Sequence, residues 1–437
     1  MSPAAATSKG ALFARAGESL GSLGCATGPQ THAYYVPGRI EVLGKHTDYA
    51  GGRSLLCAVE RGICLLASPR EDAEIRVVDA LQGTPVAFRL DPALVPPSGQ
   101  WANYPMTVAR RMARNFPTAR RGADIAFASD LPAAVGLSSS SVLIVATFLA
   151  LAEINRLHTT REYLANLRTD EALAGYLACI ENGQSFGALE GDRGVGTYGG
   201  TEDHAAILCC RPGRLSLFSF LPVRYEKIVA LPEEFRFVIG VSGIAAEKTG
   251  AAGDAYNRAV HTARAILELW NVKRGRSDIS LAAALDSSPS ALDRVREILL
   301  SSSHPDFDSK VLLERLGQFH WESTMTIPSV VEAIARQDWE SVGALVARSQ
   351  HDAEYLLGNQ IPETIALARS ARELGAVAAS AFGAGFGGSV WALVRAQDVE
   401  VFKTGWEARY REEFPAAALR AQFFASRPGP AATRLEM

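Results

Sequence analysis

Six cysteines, Cys25, Cys57, Cys64, Cys179, Cys209 and Cys210, include no C-x-x-C pair and no His/Cys spacing of a zinc site. That excludes a zinc ribbon and a disulfide scaffold, and the apolar surroundings of several of them suggest buried thiols in a reducing compartment. Excess charge is also lacking: 44 Lys and Arg against 47 Asp and Glu leave a formal net charge of -3. No basic field is available for nucleic acid or an anionic membrane, so the expected partner is a small molecule. The longest apolar run, Val142 to Ala152, is too short to span a bilayer. The opening M-S-P-A-A-A-T-S-K-G has no charged stretch followed by an apolar core, so a cytoplasmic protein is expected.

What is present is ample apolar material, 48% of 437 residues, more than one hydrophobic core usually takes. We expect two domains, at 31–220 and 221–437, after a small, Gly-rich segment at 1–30 with no clear period and a loose hold on the rest. Residues Ala33 to about Leu90 alternate β-rich runs, such as Ile63 to Ala67 and Ile75 to Val78, with turn residues. Trp101 to Asn115, Ser139 to Leu157 and Arg161 to about Glu181 carry helical spacing. Strands are expected at Ala205 to Cys210, Leu215 to Phe220 and Phe235 to Val241. The chain beyond Tyr256 reads as helical up to Leu374, with a break near Ser301 to Asp308.

Three segments carry chemistry. Pro37 to Gly52, P-G-R-I-E-V-L-G-K-H-T-D-Y-A-G-G, concentrates Arg39, Lys45, His46 and Asp48 between glycines. Carboxylate, imidazole and cation can between them satisfy several hydroxyls of a polyhydroxylated ligand, while the glycines let backbone approach closely. Leu131 to Val142, L-P-A-A-V-G-L-S-S-S-S-V, joins a tight turn at Gly136 to serines and the start of an apolar helix, whose exposed N–H groups and dipole favour phosphate. Gly383 to Gly388, G-A-G-F-G-G, lies between two β runs, Ala376 to Phe382 and Ser389 to Val394, whereas a dinucleotide loop must open into a helix.

The first segment resembles the sugar-binding signature of galactokinases, G-R-V-N-L-I-G-E-H-T-D-Y, within the superfamily of galactokinases, homoserine, mevalonate and phosphomevalonate kinases. Arg39, His46, Asp48 and Tyr49 are kept, but Glu41 replaces the usual asparagine and Lys45 the usual glutamate. The serine segment resembles the superfamily's ATP loop, P-x-x-x-G-L-S-S-S-A, with Ser141 for the alanine and without a Walker A lysine. The resemblance implies that the backbone from Gly136 through Leu137 and Ser138 to Ser139 wraps the phosphates of ATP, beside Ser140 and Ser141. It gives Ser140 and Glu181 to Mg2+, puts Trp101 near adenine, and makes Tyr256, with Lys45, His46 and Asp48, a sugar contact. The glycine loop would support the phosphate loop. Asp203 stands where the family has its G-I-M-D-Q run and would be the base, with Arg39 depressing its pKa and offsetting developing charge. Glu202 is its possible decoy, and the interval from Glu181 to Asp203 is longer than expected, as a lid or a surface loop.

The implied fold is a two-lobed α/β kinase, an N-terminal lobe like ribosomal protein S5 domain 2 and a ferredoxin-like α+β C-terminal lobe, with the active site in the cleft. The implied reaction is phosphoryl transfer from ATP to the C1 hydroxyl of galactose. Lys45 leaves the sugar open. An ammonium can only donate and would welcome the carboxylate of galacturonate, or it could pair with Glu41 or turn to solvent and leave galactose to the other contacts. A sugar sensor without turnover is a further alternative. A monomer is expected, with a dimer left open.

Overall fold

The long β-rich run at the head of the chain folds into one bent pair of strands that carries the sugar-binding segment. In the computed structural model, which describes residues 3–25, 27–132, 136–245 and 250–436, β1 (His32–Leu43) and β2 (Arg53–Pro69) pair antiparallel from His32↔Ala67 to Leu43↔Leu55. The register shifts between Pro37 and Arg39 and again between Glu41 and Leu43. Pro37 has no N–H to give to the ladder, and irregularities of this kind re-aim side chains. Here they bracket Arg39 and Glu41. Gly38, between Pro37 and Arg39, sits so close to the serine loop that a Cβ would lie 2.9 Å from the Leu137 carbonyl oxygen.

β3 (Glu74–Asp79), β4 (Pro85–Arg89) and β5 (Ala123–Ser129) extend this sheet, with β5 on β2 and β3 parallel to β5. β6 (Arg214–Ser219) and β7 (Arg224–Ala230) form a hairpin on the other end of β2. The helices Asn103–Asn115, Ser139–Ile154 and Asp170–Asn182 pack together with the sheet through Val108, Met112, Phe116, Val145, Phe148 and Tyr176. A helix as apolar all round as Ser139–Ile154 has to lie inside.

Between Ala230 and Phe235 the chain passes to a second sheet. β8 (Phe235–Val241), β9 (Ala378–Phe382), β10 (Ser389–Arg395) and β11 (Gln422–Ser426) are all antiparallel in the order β11-β8-β10-β9. With helices between β8 and β9 and between β10 and β11, this is the expected ferredoxin-like arrangement. Leu367, Phe402, Trp406 and Tyr410 cover one face of it. β12 (Thr433–Leu435) returns to the edge of β1. Residues from Gly250 to Glu373 are mainly helical, with a break at 302–308, in agreement with the sequence, and no described helix is long and apolar enough to cross a membrane.

Two expectations are corrected. Ala205 to Cys210 is no strand but most of the helix Glu202–Cys209, because a short apolar run cannot separate a buried strand from a buried helix. The N-terminal segment is not loose: Pro3–Ser22 is a helix, with Ala16 and Leu20 buried against Ala33, Leu66, Val78 and Ala126. Phe13, with Ala16 and Leu20 at helical spacing, packs on the same cluster, a short apolar stripe among small and polar residues. Residues 133–135 of the serine segment lie outside the described residues.

Candidate active site

Helix-to-loop contacts from the far half of the chain hold the sugar-binding segment in shape. The Gly44 N–H donates to Glu322 Oε1 at 2.8 Å, Gln318 Nε2 donates to the Lys45 carbonyl at 3.0 Å, and Arg315 donates to the His46 carbonyl and to the Tyr49 hydroxyl. Glu322 lies on a π-helical stretch, Trp321–Thr326, of the sort that recurs at functional sites. Gly44, at φ +123, has Ser54 Cα 2.7 Å from where a Cβ would be, so only glycine fits there.

His46 takes a left-handed φ of 58, and its Nε2 lies 3.0 Å from the Ala384 carbonyl, with Nδ1 2.9 Å from the Tyr49 hydroxyl. Burial lowers its pKa to about 4, so the ring is neutral. Because a carbonyl can only accept, the proton sits on Nε2 and Nδ1 accepts from Tyr49. Both carboxylate oxygens of Asp48 are likewise held, Oδ1 by the Tyr49 N–H at 2.8 Å and Oδ2 by the Glu202 N–H at 3.0 Å. Burial nevertheless raises the Asp48 pKa. Gly200 lies against this carboxylate, since a Cβ there would be 2.2 Å from Oδ2. The Tyr256 ring stands 5.2 Å from that of His46, over Gly199.

Arg39 joins the sugar side to the serine loop. Its Nε and Nη2 grip Asp203 Oδ1 at 2.8 and 2.6 Å, Nη2 lies 3.6 Å from Glu202 Oε1, and Nη1 donates to the Gly136 carbonyl. Burial works against the guanidinium's charge, but Asp203, Glu202 and Glu41 outweigh it and hold Arg39 cationic. The Ser141 hydroxyl reaches Glu181 Oε2 at 2.8 Å and Asp203 Oδ2 at 3.2 Å. The buried loop serine nearest to Glu181 is therefore Ser141, while Ser139 and Ser140 stand partly exposed in the first turn of their helix. Gly136 and Ser138 both have positive φ, 82 and 61, which turns the chain into that helix, and the buried Ser138 hydroxyl has no partner among the described residues. The Gly383–Gly388 loop backs onto Gly136, and Gly383 and Ala384 border the cavity.

The cavity brings together Arg39, His46, Asp48, Glu181, Asp203 and Tyr256, which the sequence had named from four separate stretches. Trp101 is not in its wall; the ring packs edge-on against Phe127 at 5.8 Å. Nor is Lys45, which is 1% exposed and so does not turn to solvent. Its Nζ donates to Ser380 Oγ at 2.7 Å and Ser349 Oγ at 3.2 Å. In its place the wall has Glu41, whose pKa is raised to about 7 by burial against the opposing pull of Lys45 and Arg39. Sequence reasoning also missed Tyr49, Glu202, Thr197 and the Gly199-Gly200 pair as wall residues. Glu41, two residues after Arg39 on one strand, carried a usable signal. The extension between Glu181 and Asp203 is anchored to the helix Asn103–Asn115, by Arg110 to Asp192 at 2.8 Å and Asn103 to the Val195 carbonyl at 3.2 Å. Its far end lines the cavity.

Residues 25–69 match the galactokinase galactose-binding signature, 103–184 the N-terminal domain of GHMP kinases and 330–412 their C-terminal domain. In these three matches the chain is similar to the galactokinases among the GHMP kinases. It is 29% identical over 380 residues to the galactokinase of Chloroflexus aurantiacus, covering 86% of each chain. It is 27% identical over 388 residues to that of Chloroflexus aggregans, covering 87% of this chain and 88% of the other. In fold it is similar to Lactococcus lactis galactokinase complexed with galactose, at a TM-score of 0.79 and 21% identity, over 97% of this chain and all of that one.

Proposed function

We propose that the protein transfers the γ-phosphate of ATP to the C1 hydroxyl of galactose, giving galactose 1-phosphate and ADP. The observation that carries this reading is the Asp203 carboxylate, gripped on one oxygen by Arg39 and turned with the other toward Ser141, where the sugar cavity meets the serine loop. Asp203 accepts the anomeric proton as the sugar oxygen bonds to the γ-phosphorus, and the bond to the β-phosphate oxygen breaks to release ADP. The anomeric hydroxyl is more acidic than an ordinary alcohol, so a carboxylate held beside a guanidinium is base enough. Arg39 lies where negative charge spreads on the transferring group, which is where phosphoryl transfer gains most from a fixed cation. The backbone N–H groups at Ser139–Ser141 face the phosphates from the helix start.

Glu181 and a loop serine, Ser140 or Ser141, are hard oxygen donors of the kind Mg2+ takes when it also binds substrate phosphates. When bound there it would neutralise phosphate charge. A neutral sugar is favoured over galacturonate because the cavity wall is rich in carboxylates, Glu41, Asp48 and Glu202, while Lys45 is committed behind it. The relatives named galactokinase, and the neighbour crystallised with galactose, agree with that choice. A coupled ADP-release assay on a hexose panel, with 31P NMR of the product, tests it. Galactose should be consumed and the phosphate found on C1; no ADP release with any hexose sinks the kinase reading.

A further inference from the structure

Glu41 stands between the two register breaks of β1, 1% exposed, and lines the cavity. Oε2 accepts from the Gly383 N–H at 3.2 Å. Oε1 is a buried carboxylate oxygen to which no N–H among the described residues donates. The neighbour against it is the carboxyl of Glu202, which burial first and then the charges of Glu41 and Asp48 push toward holding a proton, and whose own Oε2 is taken by the Ser54 hydroxyl at 3.0 Å. A proton on Glu202 takes one lone pair of this acceptor, and the other is open to the hydroxyl of a ligand.

The charges around it have moved as a set. Relative to the family's pattern, carboxylates are added at Glu41 and Glu202, in place of a neutral asparagine and methionine, while position 45 changes from glutamate to Lys45. Two added negative charges offset a swing of two positive ones, all within one buried cluster. The Lys45 ammonium cannot enter the cavity without leaving both Ser380 and Ser349, so its reach ends behind Glu41.

We propose that Glu41 is the specificity-determining residue of the sugar site: its Oε1 accepts a hydroxyl of a neutral hexose, in the part that the family gives to position 45, and Lys45 is its counter-ion. This rests on the sugar-kinase reading above. Once ionised, as pH rises through about 7, an acceptor fixed at that point rejects a uronic acid, whose carboxylate would face Glu41 without an intervening cation, and it rejects a sugar that lacks the hydroxyl.

The test is steady-state kinetics on galactose, its 2-, 3-, 4- and 6-deoxy analogues and galacturonate. Wild type should lose about 10- to 100-fold in kcat/KM on one deoxy analogue, as for a hydrogen bond to a charged group. In Glu41→Gln galactose should fall by a similar factor, carried by KM for the sugar and not KM for ATP, and the penalty for that analogue should shrink to within about threefold. Glu41→Asp keeps the charge that Lys45 faces and withdraws the oxygen, so it gives the same readout if the amide variant does not fold. The double variant Glu41→Asn/Lys45→Glu, which returns the carboxylate to position 45, should exceed Glu41→Asn on galactose. If wild type turns over galactose but the Glu41 variants leave every deoxy penalty unchanged, Glu41 is structural and the proposal falls alone. Faster turnover of galacturonate than galactose by wild type would also overturn it. If wild type consumes no hexose, the sugar-kinase reading falls first and takes this with it.

Discussion

The two sides of the cavity are made of different materials. The phosphate side is backbone and hydroxyl: Gly136, Ser138 to Ser141 and the start of the helix Ser139–Ile154, with no ionisable side chain in the loop. The sugar side is a buried set of charges, Arg39, Glu41, Lys45, Asp48 and Glu202, drawn from distant elements, with Asp203 at the seam. A triphosphate brings its own charge, so dipoles suffice to hold it. A neutral sugar offers only hydroxyls, and discrimination among them needs ionised acceptors, which must be kept ionised by cations inside the protein. Arg39 serves Asp203, and Lys45 offsets part of the burial that raises the Glu41 pKa to about 7.

The largest effect should come at the seam. Asp203→Asn removes the base yet leaves the serine loop untouched, so kcat should fall by about 10^3-fold or more while ATP affinity, read by nucleotide titration, stays within about twofold. Unchanged kcat would remove Asp203 from the chemistry. On the sugar side proper, Lys45→Met strands Glu41 among carboxylates and should cost about 3–5 kcal/mol of stability in urea unfolding. Ser139→Ala on the phosphate side, partly exposed, should cost no more than about 0.5 kcal/mol. Equal losses for the two would erase the contrast between the sides.

Acid should act on the sugar side as well. His46 has a pKa of about 4 in the fold against an ordinary 6.5, because burial outweighs the Ala384 carbonyl. The folded state therefore binds fewer protons than the unfolded one between these values. Its contribution is complete above pH 6.5 and is lost as pH falls toward 4, by up to about 3 kcal/mol. Glu41 runs the other way: with its pKa raised to about 7 by burial, its term is complete below 4.5 and lost as pH rises through 7. The two are separated by comparing wild type with His46→Gln, where the stability difference should shrink between pH 7 and pH 4. A difference that stays constant across that range would mean that His46 titrates normally.

The same contrast explains what could be read from the sequence. The serine loop is local, so G-L-S-S-S-S before an apolar helix announced both its turn and its ligand class. Arg39, His46 and Asp48 were legible because they share one short segment, and Asp203 because its aspartate survived among altered neighbours. Glu41, Glu202 and the true place of Lys45 were not, because which way a buried charge faces depends on Ser349, Ser380 and Gly383, more than 300 residues away in the chain. The helix at Glu202–Cys209 was taken for a strand for a related reason. Its apolar residues meet β1, β2 and the neighbouring helices, contacts that no local pattern contains.

An effect on rate smaller than that of losing the base tests the seam between the two sides. Ser141 stands where the family has alanine, and its single hydroxyl proton has two carboxylates in reach, Glu181 at 2.8 Å and Asp203 at 3.2 Å. A donor between them fixes the spacing of the metal-side carboxylate and the base, and it offsets part of the repulsion of bringing both to one place. Ser141→Ala restores the family residue and leaves Glu181 one donor short. We expect about 1 kcal/mol less stability and a kcat lower by about tenfold, with KM for galactose and ATP nearly unchanged. Ser140→Ala, by contrast, should raise the Mg2+ concentration needed for half-maximal rate if Ser140 is the metal's serine. A reversal, with the Mg2+ requirement following Ser141 instead, would move the ligand one residue along the loop and make the exchange of alanine for serine a change in the metal site itself.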